Sequence, residues 1–263
     1  MDLGLKGKVA LVAASSKGLG FAVADELAAE GAHLIMNARG EETLSAASES
    51  IVTRLNSEVL AIPGDLSESA DIHRIVNAGV EKFGKIDILI TNSGGPPAGK
   101  FDDLASDQWD AAVRLLLTGV TEMTRLVLPG MKERRWGRIL NVTSIAAKQP
   151  VANLILSNSL RAGVTGFSKT LAAEVGEYAI TVNTILPGYT ATERVEELAE
   201  HIATKEGIDA GEVRKRWESE IPLGRLAEPR EFAAMAAFIV SERASYITGS
   251  SIAVDGGWIR SLF

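Results

Sequence analysis

The chain has 263 residues, a hydrophobic fraction of 46 % and a formal net charge of −7 at pH 7. Cysteine is absent, which excludes disulfides and thiolate metal sites, and the three histidines (His33, His73 and His201) show no metal-ligand spacing. Because no basic run, signal-peptide pattern or membrane-length apolar stretch occurs, we expect a cytoplasmic protein that binds neither nucleic acid nor a membrane.

Short apolar runs alternate with longer amphipathic segments along the chain. Runs rich in valine and isoleucine, apolar on both faces, are typical of parallel strands that helices cover on both sides. They predict strands at 8–13, 32–37, 59–62, 86–91, 137–143, 180–186 and 251–255. The amphipathic segments predict helices at 18–31, 41–56, 69–82, 107–132, 152–178 and 230–241. This alternation predicts one α/β domain over 1–263, a doubly wound (Rossmann) parallel seven-stranded sheet with helices on both faces.

One charged segment, residues 192–220, has a helical pattern but contributes no strand. It falls between the sixth and seventh strands, after a carboxyl end, where an insertion lies beside the ligand crevice of such a sheet. We therefore interpret it as a substrate lid. A pair of solvated surface helices explains its composition equally well.

The first strand-to-helix turn, "AASSKGLG" (13–20), predicts a pyrophosphate site. Gly18 and Gly20 allow the backbone to approach a phosphate at a helix start, where free N–H groups point outward. The strand before and the helix after make this signal stronger than the glycine spacing alone. The alternative is an ordinary turn capped by a serine.

This turn resembles the T-G-x-x-x-G-x-G fingerprint of the short-chain dehydrogenases/reductases, with Ala13 and Ala14 in the places of the threonine and the first glycine. Five further stretches resemble motifs of that family in the same order: "GDL" (64–66), "TNSGG" (91–95), "GRILNVTS" (137–144), "VNTILPGYTAT" (182–192) and "YITGSSIAVDGG" (246–257). The resemblance implies a nicotinamide dinucleotide bound by Ser15, Ser16, Lys17, Gly18, Leu19, Gly20, Asp65, Leu66, Asn92, Gly94, Pro187, Gly188, Thr190 and Thr192.

The residues after the second strand favour NADP(H) over NAD(H). Sites that prefer NAD place an acidic residue near this strand end to bind the ribose 2′-OH, whereas "MNARGEE" (36–42) offers Ala38 and then Arg39. Lys17 adds a second cation, and an arginine fork matches the geometry of a 2′-phosphate. The alternative is that both are ordinary surface cations.

The catalytic positions of the family are mostly replaced in this chain. The resemblance implies that Ser144 holds a substrate carbonyl, with a tyrosine thirteen residues later and a lysine four residues beyond it. Those two positions hold Ser157 and Arg161, and a supporting asparagine position falls on Leu116. A serine is a far weaker acid than a phenol, and an arginine, with an ordinary pKa above about 12, does not act as an acid or base near neutral pH, although it stabilises an oxyanion.

Three functions remain open from the sequence. In the first, Ser144, Ser157 and Arg161 form an atypical active site of an NADP(H)-dependent oxidoreductase. Resemblance to the 3-oxoacyl-carrier-protein reductases implies that it reduces a ketone, a 3-oxoacyl thioester or similar carbonyl, to a secondary alcohol. Lys148 and Tyr189 are then alternative acids. In the second, the chain is a catalytically inactive NADP(H)-binding sensor or partner subunit; in the third, a scaffold with weakened cofactor binding. The polar residues at the altered positions favour the first.

The resemblance also implies self-association as a homotetramer. The stretch "GGWIRSLF" (256–263) carries Trp258, Ile259, Leu262 and Phe263, four apolar side chains that water accommodates poorly. We expect them to pack against a neighbouring subunit. The alternative is that they fold back onto their own core.

Overall fold

The computed structural model of the chain describes residues 1–262. Within this range seven strands form one sheet, in the order β3-β2-β1-β4-β5-β6-β7, with every neighbouring pair parallel. They are β1 (Val9–Val12), β2 (His33–Ala38), β3 (Val59–Pro63), β4 (Ile88–Thr91), β5 (Gly137–Val142), β6 (Ile180–Pro187) and β7 (Ser251–Val254). The predicted doubly wound sheet is confirmed, and its strand order reverses between β1 and β4, where such sheets bind ligands.

Helices cover both faces of the sheet. Over the same residues there are nine α-helices: α1 (Gly18–Ala29), α2 (Glu41–Leu55), α3 (Ser69–Phe83), α4 (Ser106–Val113), α5 (Gly119–Arg134), α6 (Ile155–Val175), α7 (Glu193–Glu206), α8 (Ala210–Glu220) and α9 (Pro229–Ile239). Helices α1, α2 and α9 pack one core layer against the sheet, and α3, α5 and α6 pack the other. Each fully buried leucine or isoleucine in these layers contributes about 2 kcal/mol.

The predicted helix at 107–132 differs from the observed structure. It is interrupted by a π-helical turn at Arg114–Thr118, which separates α4 from α5. Here the chain passes very close to the loop after β3, since a Cβ on Gly119 would lie 2.5 Å from the Leu66 carbonyl oxygen. Single π turns are rare and often mark functional sites.

Helix α6 begins at Ile155, later than the predicted 152, because the preceding loop has its own hydrogen bonds. Asn153 adopts a left-handed φ of 61°. The Asn158 amide both accepts from the Val151 N–H (3.2 Å) and donates to the Val151 carbonyl oxygen (3.0 Å). The charged segment 192–220 is helical as predicted and forms α7 and α8.

Candidate active site

The turn between β1 and α1 is built for close backbone approach. A Cβ on Gly20 would lie 2.1 Å from the Ala14 carbonyl oxygen and 2.8 Å from Asn92 Nδ2. Asn92, which follows β4, donates to that same carbonyl oxygen at 3.3 Å. Only glycine therefore fits at position 20, and the turn is joined to the strand across the topological switch point.

Ser15 supports the turn from inside. Its hydroxyl donates to the Val12 carbonyl oxygen at 2.8 Å and accepts from the Asn37 N–H at 3.2 Å. The Ser15 N–H donates to the Asn37 carbonyl oxygen at 2.8 Å. Ser15 is fully buried, and these hydrogen bonds engage both its hydroxyl and its N–H within the protein.

The start of α1 presents open N–H groups beside two glycines. Lys17 occupies the N-cap position and makes no side-chain cap hydrogen bond, and Gly18 has a φ of 59°. Ser16 and Leu19 are half-buried around it. The first N–H groups of a helix attract anions, so this cradle fits the pyrophosphate of a nicotinamide dinucleotide.

The two predicted phosphate-binding cations have different surroundings. Lys17 Nζ lies 2.7 Å from a carboxylate oxygen of Glu193, at the start of α7, and this contact raises the pKa of Lys17. Arg39 is exposed after β2 and makes no hydrogen bond or ion pair with any described residue. Of the two, Arg39 is the cation with free hydrogen-bonding capacity.

The turn after β3 lies at the adjacent edge of the sheet. Asp65 Oδ1 accepts from the Ser67 N–H at 2.9 Å and from its hydroxyl at 2.8 Å. Leu66 is buried in the core, whereas Gly94, in the loop after β4, is exposed. These positions border the crevice from β3 and β4.

The turn after β6 approaches the glycine turn from the opposite side. Pro187 ends β6, and a Cβ on Gly188 would lie 2.7 Å from Asp255 Cα. Thr190 is buried and its hydroxyl donates to the Gly188 carbonyl oxygen at 3.4 Å. Thr192 reaches Gly18, since a Cβ there would lie 3.8 Å from Thr192 Cγ2. The structure thus brings the predicted cofactor-binding turns together around one crevice.

Ser144 and Ser157 lie on the elements that follow β5. Ser144 comes two residues after β5, and its hydroxyl accepts from the Ala146 N–H at 3.1 Å. Ser157 lies in the first turn of α6 and is 7 % exposed. The Ser157 hydroxyl makes no hydrogen bond with any described residue, which leaves its donor and acceptor capacity unused.

Arg161 follows Ser157 by one helical turn and points to the carboxyl end of β5. Its Nη1 donates to the carbonyl oxygens of Val142 (3.1 Å) and Thr143 (2.7 Å). No carboxylate within residues 1–262 pairs with it, and burial lowers the pKa of Arg161 to about 10. The guanidinium lines a cavity of about 10 Å³, room for roughly one water molecule, together with Asn92 and Ser93. The guanidinium therefore stays charged at neutral pH.

A buried polar chain that sequence reasoning missed fixes α6 against the sheet. Thr91 Oγ1 donates to Asn141 Oδ1 at 2.6 Å, and Asn141 Nδ2 donates to Ser168 Oγ at 2.7 Å. The available signal was Asn141, a polar residue in an otherwise apolar strand. The chain connects β4, β5 and α6, so it sets the rotation of the helix that carries Ser157 and Arg161.

Leu116 makes the back of this site apolar. It lies in the π-helical turn and packs in a buried cluster with Leu156 and Leu160 of α6. No polar side chain at position 116 supports Arg161, which depends on the β5 carbonyl groups instead.

Tyr189, an alternative acid from the sequence, is a packing residue. Its ring stacks on Trp217 of α8 with centroids 4.7 Å apart. Burial, together with the charge of Glu220, raises the pKa of Tyr189 to about 12. A phenol this weakly acidic is a poor proton donor at neutral pH. The other alternative, Lys148, is exposed.

The apolar stretch after β7 divides between the core and the surface. Trp258 is 8 % exposed and packs on Ile145 and Ile221 of its own chain. Leu262 is 92 % exposed, and Phe263 lies outside the described residues. The structure shows Trp258 packed on its own chain, which is the alternative that the sequence left open.

A search of residues 1–262 for membrane spans returns no helix with the length and apolar character that crossing a bilayer requires. Among the same residues, no group of three or more histidine, aspartate or glutamate side chains is arranged to hold a metal ion.

Comparisons with known proteins agree with this architecture. Residues 13–259 match the family model described as Enoyl-(Acyl carrier protein) reductase. The chain is 35 % identical to D-beta-hydroxybutyrate dehydrogenase of Cupriavidus necator, covering 97 % of this chain and 99 % of that protein. It is 33 % identical to the 3-oxoacyl-[acyl-carrier-protein] reductase FabG of Vibrio cholerae, covering 97 % and 98 %.

Solved structures give the same result. The crystal structure of L-sorbose reductase from Gluconobacter frateurii, complexed with NADPH and L-sorbose, superimposes with a TM-score of 0.95 at 34 % identity, covering 100 % of both chains. Sheet order, the glycine turn and these similarities lead to one assignment. The chain belongs to the short-chain dehydrogenase/reductase family of oxidoreductases.

Proposed function

We propose that the protein is an NADP(H)-dependent oxidoreductase that reduces a ketone, a 3-oxoacyl thioester or similar carbonyl, to a secondary alcohol. The observation that carries the proposal is the pair formed by Ser157 and Arg161. Ser157 is a buried residue whose hydroxyl has no hydrogen-bond partner among residues 1–262. It lies one helical turn from the half-buried Arg161, whose guanidinium pairs with no carboxylate in that range. Both lie on the helix that follows Ser144, at the carboxyl edge of the sheet where this fold binds its ligands.

The residues that would hold the cofactor are those around the crevice. Members of this family use a nicotinamide cofactor, which supplies a hydride when it is bound. The Gly18–Gly20 cradle takes the pyrophosphate and Thr192 borders the nicotinamide end. Arg39 and Lys17 bind the 2′-phosphate of NADP, because no carboxylate occupies the end of β2. In support, similar structures include an NADPH complex of L-sorbose reductase and one of an actinorhodin polyketide ketoreductase.

Arg161 and the two serines do the remaining chemistry in this proposal. As hydride reaches the carbonyl carbon, negative charge develops on its oxygen, and the charged guanidinium stabilises that oxygen. Two backbone carbonyl groups hold Arg161 Nη1, so the group is oriented before the reaction begins. Ser144 and Ser157 donate hydrogen bonds to the same oxygen. The proton of the product alcohol comes from water through the Ser157 hydroxyl, which both donates and accepts.

A second function, the NADP(H)-binding sensor or partner subunit without catalysis, is favoured by a separate observation. Leu116 lies in an apolar cluster with Leu156 and Leu160, which come before and after Ser157 on α6. Tyr189, the tyrosine of the turn after β6, has its pKa raised and does not serve as an acid. In that case the crevice binds the dinucleotide and no reduction follows.

One experiment separates the two functions. Purified protein is titrated with NADPH and with NADH by cofactor fluorescence, and NADPH oxidation is then followed with ethyl acetoacetate, an acetoacetyl thioester and L-sorbose. We expect tighter binding of NADPH, turnover of at least one ketone, and loss of turnover in Ser144→Ala with its NADPH affinity retained. Tight binding without turnover supports the sensor, and equal affinity for the two nucleotides contradicts the NADP preference.

We also propose that the protein assembles as a homotetramer through α5 and α6. Leu126, Leu128 and Phe167 on these helices are only partly buried within one chain. Light scattering of the purified protein should give four times the chain mass of 27.9 kDa. A monomeric mass would contradict it.

A further inference from the structure

The segment after β7, residues 255–260, forms a turn pressed against the end of α8. Asp255 Oδ1 accepts from the Gly257 N–H and Asp255 Oδ2 from the Ile259 N–H, both at 2.9 Å. Gly256 has a φ of 64°, and a Cβ there would lie 2.6 Å from Ile221 Cγ2. The backbone geometry therefore fixes how this turn contacts Ile221. The turn also places Trp258 in the buried cluster with Ile145 and Ile221.

The Trp258 indole links this turn to α8 and to the turn after β6. Its Nε1 donates to Glu220 Oε2, at the last residue of α8, at 3.1 Å. Its ring meets Tyr189 edge to face with centroids 6.2 Å apart, and Tyr189 in turn stacks on Trp217. Aromatic pairs of this geometry add about 0.5 to 1.5 kcal/mol beyond burial. One side chain thus holds the α7–α8 segment against the crevice.

The same segment also holds the loop that carries Ser144. Trp258 shares one buried hydrophobic cluster with Ile221 and Ile145, the residue directly after Ser144. The Arg260 N–H donates to Gln149 Oε1 at 3.0 Å, which secures the far end of that loop. The loop 144–149 is therefore fixed on both sides by residues 258–260.

We propose that Trp258 is a positioning residue, which sets the Ser144 loop and the α7–α8 segment relative to each other and so shapes the substrate side of the crevice. The inference rests on the proposed reductase function for its kinetic consequence. Its structural part stands on the contacts of Trp258 alone. The cofactor turn at 13–20 makes none of these contacts, so cofactor binding should not depend on Trp258.

The structural part is tested by hydrogen–deuterium exchange of the ligand-free protein. In Trp258→Ala, peptides covering 144–149 and 210–221 should exchange faster than in the wild type, with peptides covering 9–20 unchanged. Trp258→Phe keeps the ring but loses the Nε1 donor, so it should restore protection at 144–149 and not at the end of α8. Exchange at 144–149 that is unchanged in both variants would overturn the proposal.

A matched control lies at the amino end of β5, directly before Gly137. Trp136 Nε1 donates to Glu242 Oε1 at 2.9 Å, an equivalent indole–carboxylate contact away from the crevice. Trp136→Phe should leave exchange at 144–149 and 210–221 as in the wild type. Faster exchange there in this control would show a general loss of stability and overturn the assignment to Trp258.

The kinetic part uses NADPH with ethyl acetoacetate as the probe. We expect kcat to fall about tenfold in Trp258→Ala, since small misplacements of catalytic groups have effects of this order, with the dissociation constant of NADPH unchanged. An unchanged kcat despite faster exchange would contradict the positioning role. If the wild type itself turns over no ketone, the proposed function fails, whereas the exchange result still decides the structural part.

Discussion

At the scale of single residues, Arg161 shows how a charge is tolerated inside the site. Removing part of a cation from water without an acidic partner is costly, and two carbonyl acceptors at 3.1 and 2.7 Å offset part of that cost for the half-buried Arg161. The remaining positive charge favours a ligand that carries or develops negative charge. The family resemblance places Arg161 in the lysine position. Whether a carboxylate lies near it depends on tertiary packing, which the sequence does not reveal.

The proposed preference for NADPH should depend on Arg39. This guanidinium is exposed and has no partner among residues 1–262. Arg39→Ala should therefore raise the dissociation constant of NADPH by about 10- to 100-fold, the effect of losing a charge-assisted hydrogen bond. Binding of NADH should not change. The matched control is Arg54→Ala, an exposed arginine of α2 that pairs with Asp25. A similar loss of NADPH affinity in the control, or none in Arg39→Ala, would contradict this role.

Ala14 should be strained. It has a φ of 49° in the place where the family fingerprint has glycine. The left-handed conformation costs about 1–2 kcal/mol for a residue with a Cβ, and glycine avoids this cost. Part of the gain is offset because glycine has greater conformational entropy in the unfolded chain. Ala14→Gly should raise the free energy of unfolding in urea by about 0.5 to 1 kcal/mol. Ala13→Gly, at a buried position without positive φ, should lower it. Destabilisation by Ala14→Gly would contradict the argument.

At the scale of elements, the start of α7 contacts both the glycine turn and the loop after β4. Glu193 pairs with Lys17 of the glycine turn, and a Cβ on Gly95 would lie 3.6 Å from Arg194 Nη2. The charged pattern of 192–220 predicted helices, and the structure adds where they attach. These contacts join residues far apart in sequence, so a local sequence pattern does not predict them.

The Glu193 contact should compete with the phosphate of NADP for Lys17. Glu193→Gln removes the carboxylate, so NADPH affinity should rise severalfold while NADH affinity stays the same, and the gain should shrink at high salt because both groups are exposed. Glu200→Gln, on the same helix without a contact to Lys17, serves as the control. Weaker NADPH binding in Glu193→Gln would show that Lys17 does not bind the phosphate.

Strands were easier to predict than helix interruptions. The strands match within two residues because burial on both faces produces continuous apolar runs, as in Ile88–Thr91. The π-helical turn at Arg114–Thr118 was missed because its leucines suit an ordinary helix. Its position is set by the close approach of Gly119 to the loop after β3.

At the scale of the whole molecule, the motifs predict which turns meet and not how they are held. The glycine turn, the turn after β3 and the turn after β6 surround one crevice as the family resemblance implies. The Thr91–Asn141–Ser168 chain and the inward packing of Trp258 were not predicted, since both depend on side-chain contacts between distant segments. These unpredicted contacts fix the position of the helix and loop that carry Ser144, Ser157 and Arg161.

Arg161 is proposed to stabilise the oxygen of the reacting carbonyl. This role is tested by measuring kcat against pH for the wild type, Arg161→Lys and Arg161→Gln with NADPH and a ketone. Since burial lowers the pKa of Arg161 to about 10, the wild-type kcat should stay level from about pH 6 to about pH 9 and fall above about pH 10. Arg161→Lys should keep much of the activity. Arg161→Gln should lose about 100-fold or more with NADPH still bound. Equal kcat in the wild type and Arg161→Gln would contradict this role of Arg161.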